Sequence, residues 1–349
     1  MTLTDIRRAL TDYHGPPLTF MEICGTHTAA IQENGIPALL SPHIHLISGP
    51  GCPVCVSVSA YIDRLCNLAM TPGVCVCTFG DLLRVPGSAG ALEHCIAAGG
   101  RVQMVYSPLE VLAFAKAEPN TRFVFAAVGF ETTAPVYAVL VHTVMQEGIT
   151  NIQLLTALKT MPPAVNALCK GQVHIDGFLA PGHVAVITGE APWHQLAKAQ
   201  HLPFVISGFS GEELLCSLYA LLRLAGQGVC KNLYPAAVQT KGNPKAQALV
   251  ERYFQPADAA WRGLGILPGS GLVLRPEYAC LDAGSTDLTE DTAAQNGCHC
   301  SQVITGTLAP TDCPLFGKAC TPESPKGACM VSGEGSCHNT YLNIGTKAI

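Results

Sequence analysis

Short apolar runs alternate with helix-like stretches through most of this chain. Eight runs are rich in β-branched and aromatic residues and are separated by turns that contain Gly or Pro. These predicted strands cover residues 18–23, 44–48, 74–78, 102–106, 122–128, 152–156, 175–180 and 203–207. Because they are nearly continuous in apolar residues and alternate with helical segments, we expect parallel sheets covered by helices on both faces.

The helix starts support this α/β pattern. Ser107 to Glu110 and Ser210 to Glu213 both have capping-box spacing. Eight strand–helix units exceed what one small doubly wound sheet requires. The segment AKAEPNT at 115–121 is the candidate boundary between two domains. We therefore predict two similar parallel-sheet α/β domains, at 1–120 and 121–240, followed by a cysteine-rich region at 241–349.

The last part of the chain differs in composition. A short helix near 244–254 and turn-linked strands are expected there, but from Cys298 onward Gly, Pro, Ser, Thr and Cys dominate. Such a segment has too few apolar residues to build its own core, so a metal centre is a plausible source of order. Six of the 17 cysteines lie in it: Cys298, Cys300, Cys313, Cys320, Cys329 and Cys337. They could hold a four-thiolate iron–sulfur cluster or a structural zinc, and the residue types alone do not select four ligands.

Charge and hydropathy narrow the function. The 349 residues carry 20 Lys and Arg against 25 Asp and Glu, a net charge of −5 without a basic run, so nucleic acid is a poor partner. No apolar run approaches the ~18 residues of a membrane span, and the first residues lack a signal core. We expect a cytoplasmic protein whose cysteines serve metal binding or thiol chemistry. Dinucleotide and nucleotide-phosphate fingerprints are missing from the sequence.

Four unusual motifs follow predicted strands. They are CGTHT at 24–28, GPGCPVC at 49–55, GFETT at 129–133 and PGHV at 181–184. Ligands of parallel α/β sheets bind at the carboxyl ends of the strands, so we expect these motifs to meet there.

The first motif offers a thiol ahead of a helix. Backbone N–H groups and the helix dipole at such a position favour an anion, so the Cys24 thiol should ionise readily and act as a nucleophile or a soft metal ligand. His27 could be a second ligand or a proton donor. In the alternative interpretation, Cys24 is a small buried residue and His27 a hydrogen-bonded cap.

The other motifs supply further candidates. Cys52 and Cys55 have the spacing of a redox dithiol, of two corners of a tetrahedral metal site, or of two structural cysteines. Glu131 could orient a proton or a ligand above the sheet, or could cap a helix together with the two threonines that follow it. His183 is open to the same two interpretations.

Taken together, the motifs resemble those of a known family. The four loop motifs and a tail of the form C-x14-C-x6-C-x16-C, met by Cys298, Cys313, Cys320 and Cys337, are similar to the HypD family of NiFe-hydrogenase maturation factors. The resemblance covers about residues 18 to 340.

The resemblance implies a scaffold on which the Fe(CN)2(CO) unit of the hydrogenase is assembled. It implies a HypC-type chaperone as partner, and HypE, charged by HypF, as cyanide donor. It also implies a 4Fe-4S cluster on the four tail cysteines just named, binding of the mononuclear iron at Cys24, and thiol redox chemistry at Cys52 and Cys55. Cys300 and Cys329 receive no role.

Two other functions fit the same residues. A thiol-disulfide oxidoreductase that takes electrons from the cluster would act on protein disulfides without a mononuclear iron. A small-molecule α/β enzyme with a structural zinc in the tail would contain no inorganic sulfide.

Overall fold

The computed structural model describes residues 2–292 and 297–344, so parts of the predicted tail region lie outside the described residues. All eight predicted strands are present, and three more follow them. The strands are β1 (Leu18–Glu22), β2 (Ile44–Ser48), β3 (Val74–Thr78), β4 (Val102–Met104), β5 (Arg122–Gly129), β6 (Ile152–Lys159), β7 (Gly177–Pro181), β8 (Phe204–Ser207), β9 (Cys230–Asn232), β10 (Phe254–Trp261) and β11 (Gly265–Leu274).

Helices follow most of these strands. They are α1 (Leu3–Thr11), α2 (Gly25–Glu33), α3 (Ser59–Ala69), α4 (Leu92–Ala97), α5 (Val111–Ala117), α6 (Ala134–Glu147), α7 (Met161–Cys169), α8 (Gly182–Thr188), α9 (Ala191–Gln200), α10 (Gly211–Leu224), α11 (Pro244–Tyr253), α12 (Cys300–Ile304), α13 (Ala328–Val331) and α14 (Ser336–Ile344). Both predicted capping boxes form. The Ser210 hydroxyl accepts from the Glu213 N–H at the start of α10, and Ser107 begins a 3-10 turn that leads into α5.

The strands form two sheets. The first has five strands in the order β2-β1-β7-β8-β9, and every neighbouring pair in it is parallel. The second has six strands in the order β10-β11-β6-β5-β3-β4. Its β6, β5, β3 and β4 are parallel, whereas β11 is antiparallel to both β6 and β10. The prediction of an α/β fold with two parallel-dominated sheets is confirmed.

The chain crosses between the two sheets more than once. The first sheet takes β1 and β2 from the start of the chain and β7 to β9 from residues 177–232, while the second takes β3 to β6 and then β10 and β11. The predicted boundaries at 120 and 240 therefore do not separate the two sheets. Parallel strands need a crossover connection, and here several crossovers carry the chain to the other sheet.

The core has three parts, because successive side chains of a strand point to opposite faces of its sheet. In β1, Phe20 contacts an outer core with α1 and α10, whereas its neighbour Met21 faces a core shared by both sheets. The shared core also contains residues of α3, α7 and α9, and a third core lies between the second sheet, α5 and α6. Because one core serves both sheets, the strand ends of the two sheets are held close together.

The tail has little regular structure, as its composition predicts. Its three helices, α12 to α14, have five, four and nine residues. No helix in the described ranges combines the length and the apolarity that crossing a bilayer requires.

Candidate functional site

A cavity of about 140 Å³ lies at the carboxyl ends of strands from both sheets. Its lining takes residues from all four loop motifs and one from the tail: Ile23, Cys24, Thr26, Gly51, Pro53, Phe130, Thr132, Thr133, Pro181, His183, Val184 and Glu334. The structure thus brings together four segments that are up to 160 residues apart in the sequence, as the position of the motifs after their strands predicts.

Cys24 occupies the N-cap position of α2, with extended backbone angles. The backbone N–H groups of Thr26 and His27 point at its sulfur and lower its pKa, as the sequence analysis expects. Burial has the larger, opposite effect and raises the pKa of the thiol to about 12, and the charges of Glu22 and Glu334 add to the rise. The expectation that this thiol ionises readily is therefore wrong for the metal-free protein.

Two glycines let the loops approach Cys24 this closely. The Gly25 N–H donates to the Gly51 carbonyl at 3.0 Å, and a Cβ at Gly51 would overlap the Cys24 backbone. A Cβ at Gly25 would come within 2.9 Å of a carboxylate oxygen of Glu334. Any larger residue at either position would force the walls of the cavity apart.

Two carboxyl groups, neither of them proposed from the sequence, lie beside Cys24. Glu22 is buried at the end of β1, where it accepts from the Cys24 N–H at 2.9 Å and from the Thr28 hydroxyl. Burial raises its pKa to about 7. Glu334 reaches the cavity from the loop between α13 and α14 and is hydrogen-bonded to the Thr26 side chain, and burial raises its pKa. The sequence signal for Glu334 is weak: a lone acid between two glycines in a cysteine-rich segment.

Phe209 separates the two predicted histidines. Its ring stacks on His183 at 3.8 Å between centroids and lies 4.7 Å from His27 on the other side. His183 lines the cavity and is exposed. His27 is fully buried, with Nε2 3.1 Å from the Gly208 carbonyl oxygen. Burial lowers the pKa of His27 to about 4, so its ring is neutral at pH 7. His27 is therefore a buried, neutral side chain hydrogen-bonded to the loop after β8, and its roles as a second ligand or a proton donor stay predictions.

Cys52 and Cys55 are joined by a disulfide, and both are buried. Between them, Pro53 lines the Cys24 cavity, so the disulfide loop is one of its walls. This arrangement favours the redox interpretation of the pair over the metal-ligand one, since a disulfide sulfur is not a thiolate ligand.

Glu131 lies apart from the cavity lining. One carboxylate oxygen accepts from the Met161 N–H at 2.8 Å, so Glu131 caps α7 rather than the helix that follows its own strand. The other oxygen is buried without a hydrogen-bond partner in the described part of the molecule, and burial raises the pKa to about 7. Thr132 and Thr133 are the members of this motif that face the cavity.

All six tail cysteines surround a second, apolar site. Its lining contains Cys298, Cys300, Cys313, Cys320, Cys329 and Cys337, with Leu315, Phe316 and Met330 among the apolar neighbours. The four predicted cluster ligands are therefore gathered in one place together with the two cysteines that the sequence analysis leaves without a role. Within the described ranges, no three acidic, histidine or cysteine side chains are arranged to hold a single metal ion.

The two remaining cysteines contact each other directly. The sulfur atoms of Cys300 and Cys329 are 2.8 Å apart, and both residues are buried in the shared core that also contains Cys52 and Cys55. Arg262, fully buried, is held beside this pair. Its backbone N–H donates to the Val56 carbonyl just after the disulfide loop, and its Nε pairs with Asp291 at 3.3 Å. A buried charge at this point links the tail to the disulfide loop.

Two α/β sheets that share one core thus carry a cavity lined by the Cys24 thiol and a second site lined by six cysteines. The comparisons with known proteins show the family to which the chain belongs. The family model HypD, described as the hydrogenase formation hypA family, matches residues 2–343. The chain belongs to the HypD family of hydrogenase maturation factors.

Relatives of known name match over most of their lengths. The chain is 39% identical over 348 residues to the hydrogenase maturation factor HypD of Rhizobium leguminosarum bv. viciae, covering 95% of this chain and 90% of that protein. It is 40% identical over 342 residues to HypD of Rhodobacter capsulatus, with 95% and 91% covered. It is also 40% identical over 333 residues to the hydrogenase expression/formation protein HupD of Azotobacter chroococcum mcd 1, with 92% and 88% covered.

Proposed function

We propose that this maturation factor is the scaffold on which the Fe(CN)2(CO) unit of a NiFe-hydrogenase is assembled, in the cytoplasm. The observation that supports this most strongly is the cavity in which all four loop motifs meet around the Cys24 thiol. The cavity has a volume of about 140 Å³, and six of its twelve lining residues have polar side chains, among them Cys24 and Glu334. Its size suits a compact metal unit, and the Cys24 thiol offers that unit a ligand.

Cys24 is the proposed anchor for the iron, which is the cargo of the reaction. The thiol is a soft donor of the kind that low-spin Fe(II) prefers, and the carboxyl groups of Glu22 and Glu334 lie beside it. Arrival of a cation offsets the burial and the carboxylate charges that keep this thiol protonated, so metal binding and proton release are coupled. The N–H groups of Thr26 and His27, which point at the Cys24 sulfur, would stabilise the thiolate that forms when iron binds.

Cys52 and Cys55 are the proposed electron store. Release of cyanide from a thiocyanate-like donor needs two electrons and one proton: R–S–CN gives R–SH and CN⁻. Oxidation of the dithiol to the disulfide supplies two electrons and two protons, which leaves one proton for solvent. The disulfide state of the structure is the oxidised form of this couple.

Cys298, Cys313, Cys320 and Cys337 are the proposed ligands of a 4Fe-4S cluster. Four thiols around one apolar site fit the donor chemistry of such a cluster, in which each thiolate meets a different iron. When bound, the cluster supplies single electrons to refill the dithiol. Cys300 and Cys329 line the same site and are buried in the core that also contains Cys52 and Cys55, so the proposed electron route runs through that core.

The proposed partners are a HypC-type chaperone, which would cover the cavity, and HypE, charged by HypF, which would deliver cyanide. His183 is an exposed residue of the cavity lining with the Phe209 ring stacked on it, and we expect the partner to contact this side. A partner that covers this side would exclude water from the iron.

An infrared spectrum of the protein, purified without oxygen from cells that also make the small chaperone, tests the proposal. The parent should show cyanide and carbonyl stretching bands, and Cys24→Ala should lack them. Cys216→Ala is the matched control, because Cys216 is a half-buried cysteine on α10 away from the cavity, and it should keep the bands. Bands of parent intensity in Cys24→Ala would rule out the assigned anchor.

A second function, a cluster-linked thiol-disulfide oxidoreductase, is favoured by one observation. The Cys52–Cys55 disulfide and the Cys300–Cys329 pair lie in one core. That function predicts steady reduction of protein disulfides by the Cys24→Ala variant and no infrared bands in the parent.

A further inference from the structure

A third cavity, whose lining shares no residue with the two cysteine sites, lies beside the second sheet. It has a volume of about 500 Å³ and is formed by the start of α3, the end of β6, the β10–β11 hairpin and the loop at 285–289. Its rim is exposed at Asp258, Ile266 and Asp287, so small molecules can enter from solvent. The HypD motifs and the six-cysteine site contribute no residue to it.

One wall of this cavity carries a buried lysine without a counter-charge. Lys159 is the last residue of β6, and only 4% of its surface is exposed. No described Asp or Glu forms an ion pair with it, and the residues outside the described ranges contain no acidic side chain. Its ammonium group lies 5.7 Å from the centre of the Trp261 ring. Burial and the charge of Arg262 lower its pKa to about 8.

Other features of the wall also point to a ligand. The Thr156 hydroxyl is buried and has no hydrogen-bond partner in the described part of the chain, and Thr156 lines the same cavity. Trp261 is a rigid platform, since its indole N–H donates to Ser270 at 2.9 Å and its ring stacks on Phe130. Leaving an ammonium and a hydroxyl unpaired inside a protein is costly, and a ligand that pairs with them removes that cost.

We propose that this cavity binds a small organic molecule through one oxyanion group, a carboxylate or a phosphate, that pairs with Lys159. The cavity has room for more than the oxyanion alone. Asp258 and Asp287 at the rim disfavour a second negative charge there, so the outer part of the ligand is neutral or cationic. This site is independent of the iron scaffold.

One hydrogen bond connects the lining of this cavity to the disulfide loop. Ser57, in the cavity lining, donates its hydroxyl proton to the Pro53 carbonyl at 2.9 Å, and Pro53 lines the Cys24 cavity on the other side. A bound ligand would therefore lie one residue and one hydrogen bond away from the segment that carries Cys52 and Cys55.

Calorimetric titration of the full-length protein tests the site, with glycine, acetate and inorganic phosphate as probes. We expect at least one probe to bind with one-to-one stoichiometry. Lys159→Met keeps most of the unbranched side chain but removes its charge. It should weaken binding about tenfold or more, because hydrogen bonds to charged groups are strong. Lys198→Met is the control, because Lys198 is an exposed lysine on α9, and should bind like the parent. The probe that binds tells a carboxylate source from a phosphate source.

A second measurement covers the case in which Lys159→Met does not fold. Reductive methylation with a carbon-13 label makes each lysine of the parent visible by NMR, and a bound anion should raise the apparent pKa of the Lys159 signal above about 8. The proposal is overturned if none of the probes binds the parent at millimolar concentration. Equal binding by Lys159→Met, or a Lys159 signal that no probe moves, would also overturn it.

Discussion

The Cys24 cavity and the six-cysteine site are built by different forces. The cavity lies at the ends of buried strands, where two sheets share one core and two glycines let the loops touch. The tail site is held by short helices and turns, with six thiols at its centre. Packing of the chain therefore shapes the first site, whereas the proposed cluster would supply much of the order of the second. Glu334 joins the two, because it leaves the tail between Cys329 and Cys337 and ends in the cavity.

The largest effect is expected in the tail. Cys320→Ala should lose the iron–sulfur absorbance completely and make residues 298–344 accessible to protease, because a segment with few apolar residues depends on its metal for order. The sheets should stay folded. Absorbance and limited proteolysis of the anaerobic protein check this.

Cys280→Ala is the control, because Cys280 is an exposed cysteine outside both sites. A Cys320→Ala protein with full sulfide content would show that the cluster uses other ligands.

The next effect concerns the link between the two regions. Glu334→Gln keeps the shape of the side chain and its contact with Thr26 but removes the charge beside Cys24. We expect iron retention at the cavity to fall about tenfold and the cluster to remain, since a nearby opposite charge stabilises a cation by roughly 1 kcal/mol or more. Iron and sulfide analysis after gel filtration distinguishes the two.

Glu251→Gln, on exposed α11, should behave like the parent. Loss of sulfide from Glu334→Gln would mean that this residue serves the tail instead of the cavity.

Packing around Cys24 is tested by a pair of glycines. A Cβ at Gly51 would overlap the Cys24 backbone, so Gly51→Ala should lower the free energy of unfolding by about 3 kcal/mol, as overpacking does. Gly333→Ala is matched to it, because nothing lies within 4 Å of the added methyl group, and should change stability little. Thermal unfolding of the metal-free proteins measures both. Equal stability of the two variants would contradict the tight approach of the loops.

The smallest expected effect is the pH dependence of stability that Glu131, a residue outside the Cys24 cavity, causes. Its folded pKa of about 7 lies above the ordinary 4.5, so the folded state binds the extra proton between these values. Its contribution favours folding below pH 4.5 and is lost as the pH rises through 7. Between pH 5 and pH 8, the parent should lose about 2 kcal/mol of stability that Glu131→Gln keeps. Denaturant unfolding at the two pH values checks this, and parallel curves would mean that Glu131 is not protonated in the fold.

Much of the architecture can be predicted from the sequence because strand and helix signals are local. The eight strands and the gathering of the four motifs follow from apolar runs and the turns after them. The assignment of strands to sheets is not local. It depends on which crossovers carry the chain to the other sheet, so the boundary near residue 120 does not separate the sheets.

The candidate site divides in the same way. The pKa of Cys24 is raised by burial and by the charges of Glu22 and Glu334, and only the folded chain brings these two residues to the thiol. Glu131 accepts a hydrogen bond from the Met161 N–H, which is 30 residues away in the sequence. The GFETT motif alone therefore does not reveal which group the Glu131 carboxylate binds. Lys159 ends an apolar strand, and its missing counter-charge is visible only once its neighbours are known.

The central claim is that the two regions hold two separate iron sites, one anchored by Cys24 and one by the tail cysteines. Mössbauer spectra of the iron-57-labelled parent and of Cys24→Ala, both purified anaerobically with the small chaperone, test it most directly. The account predicts a low-spin mononuclear ferrous signal in the parent that disappears in the variant while the cluster signal stays unchanged. A mononuclear signal that persists in Cys24→Ala, or the loss of both signals together, would contradict it.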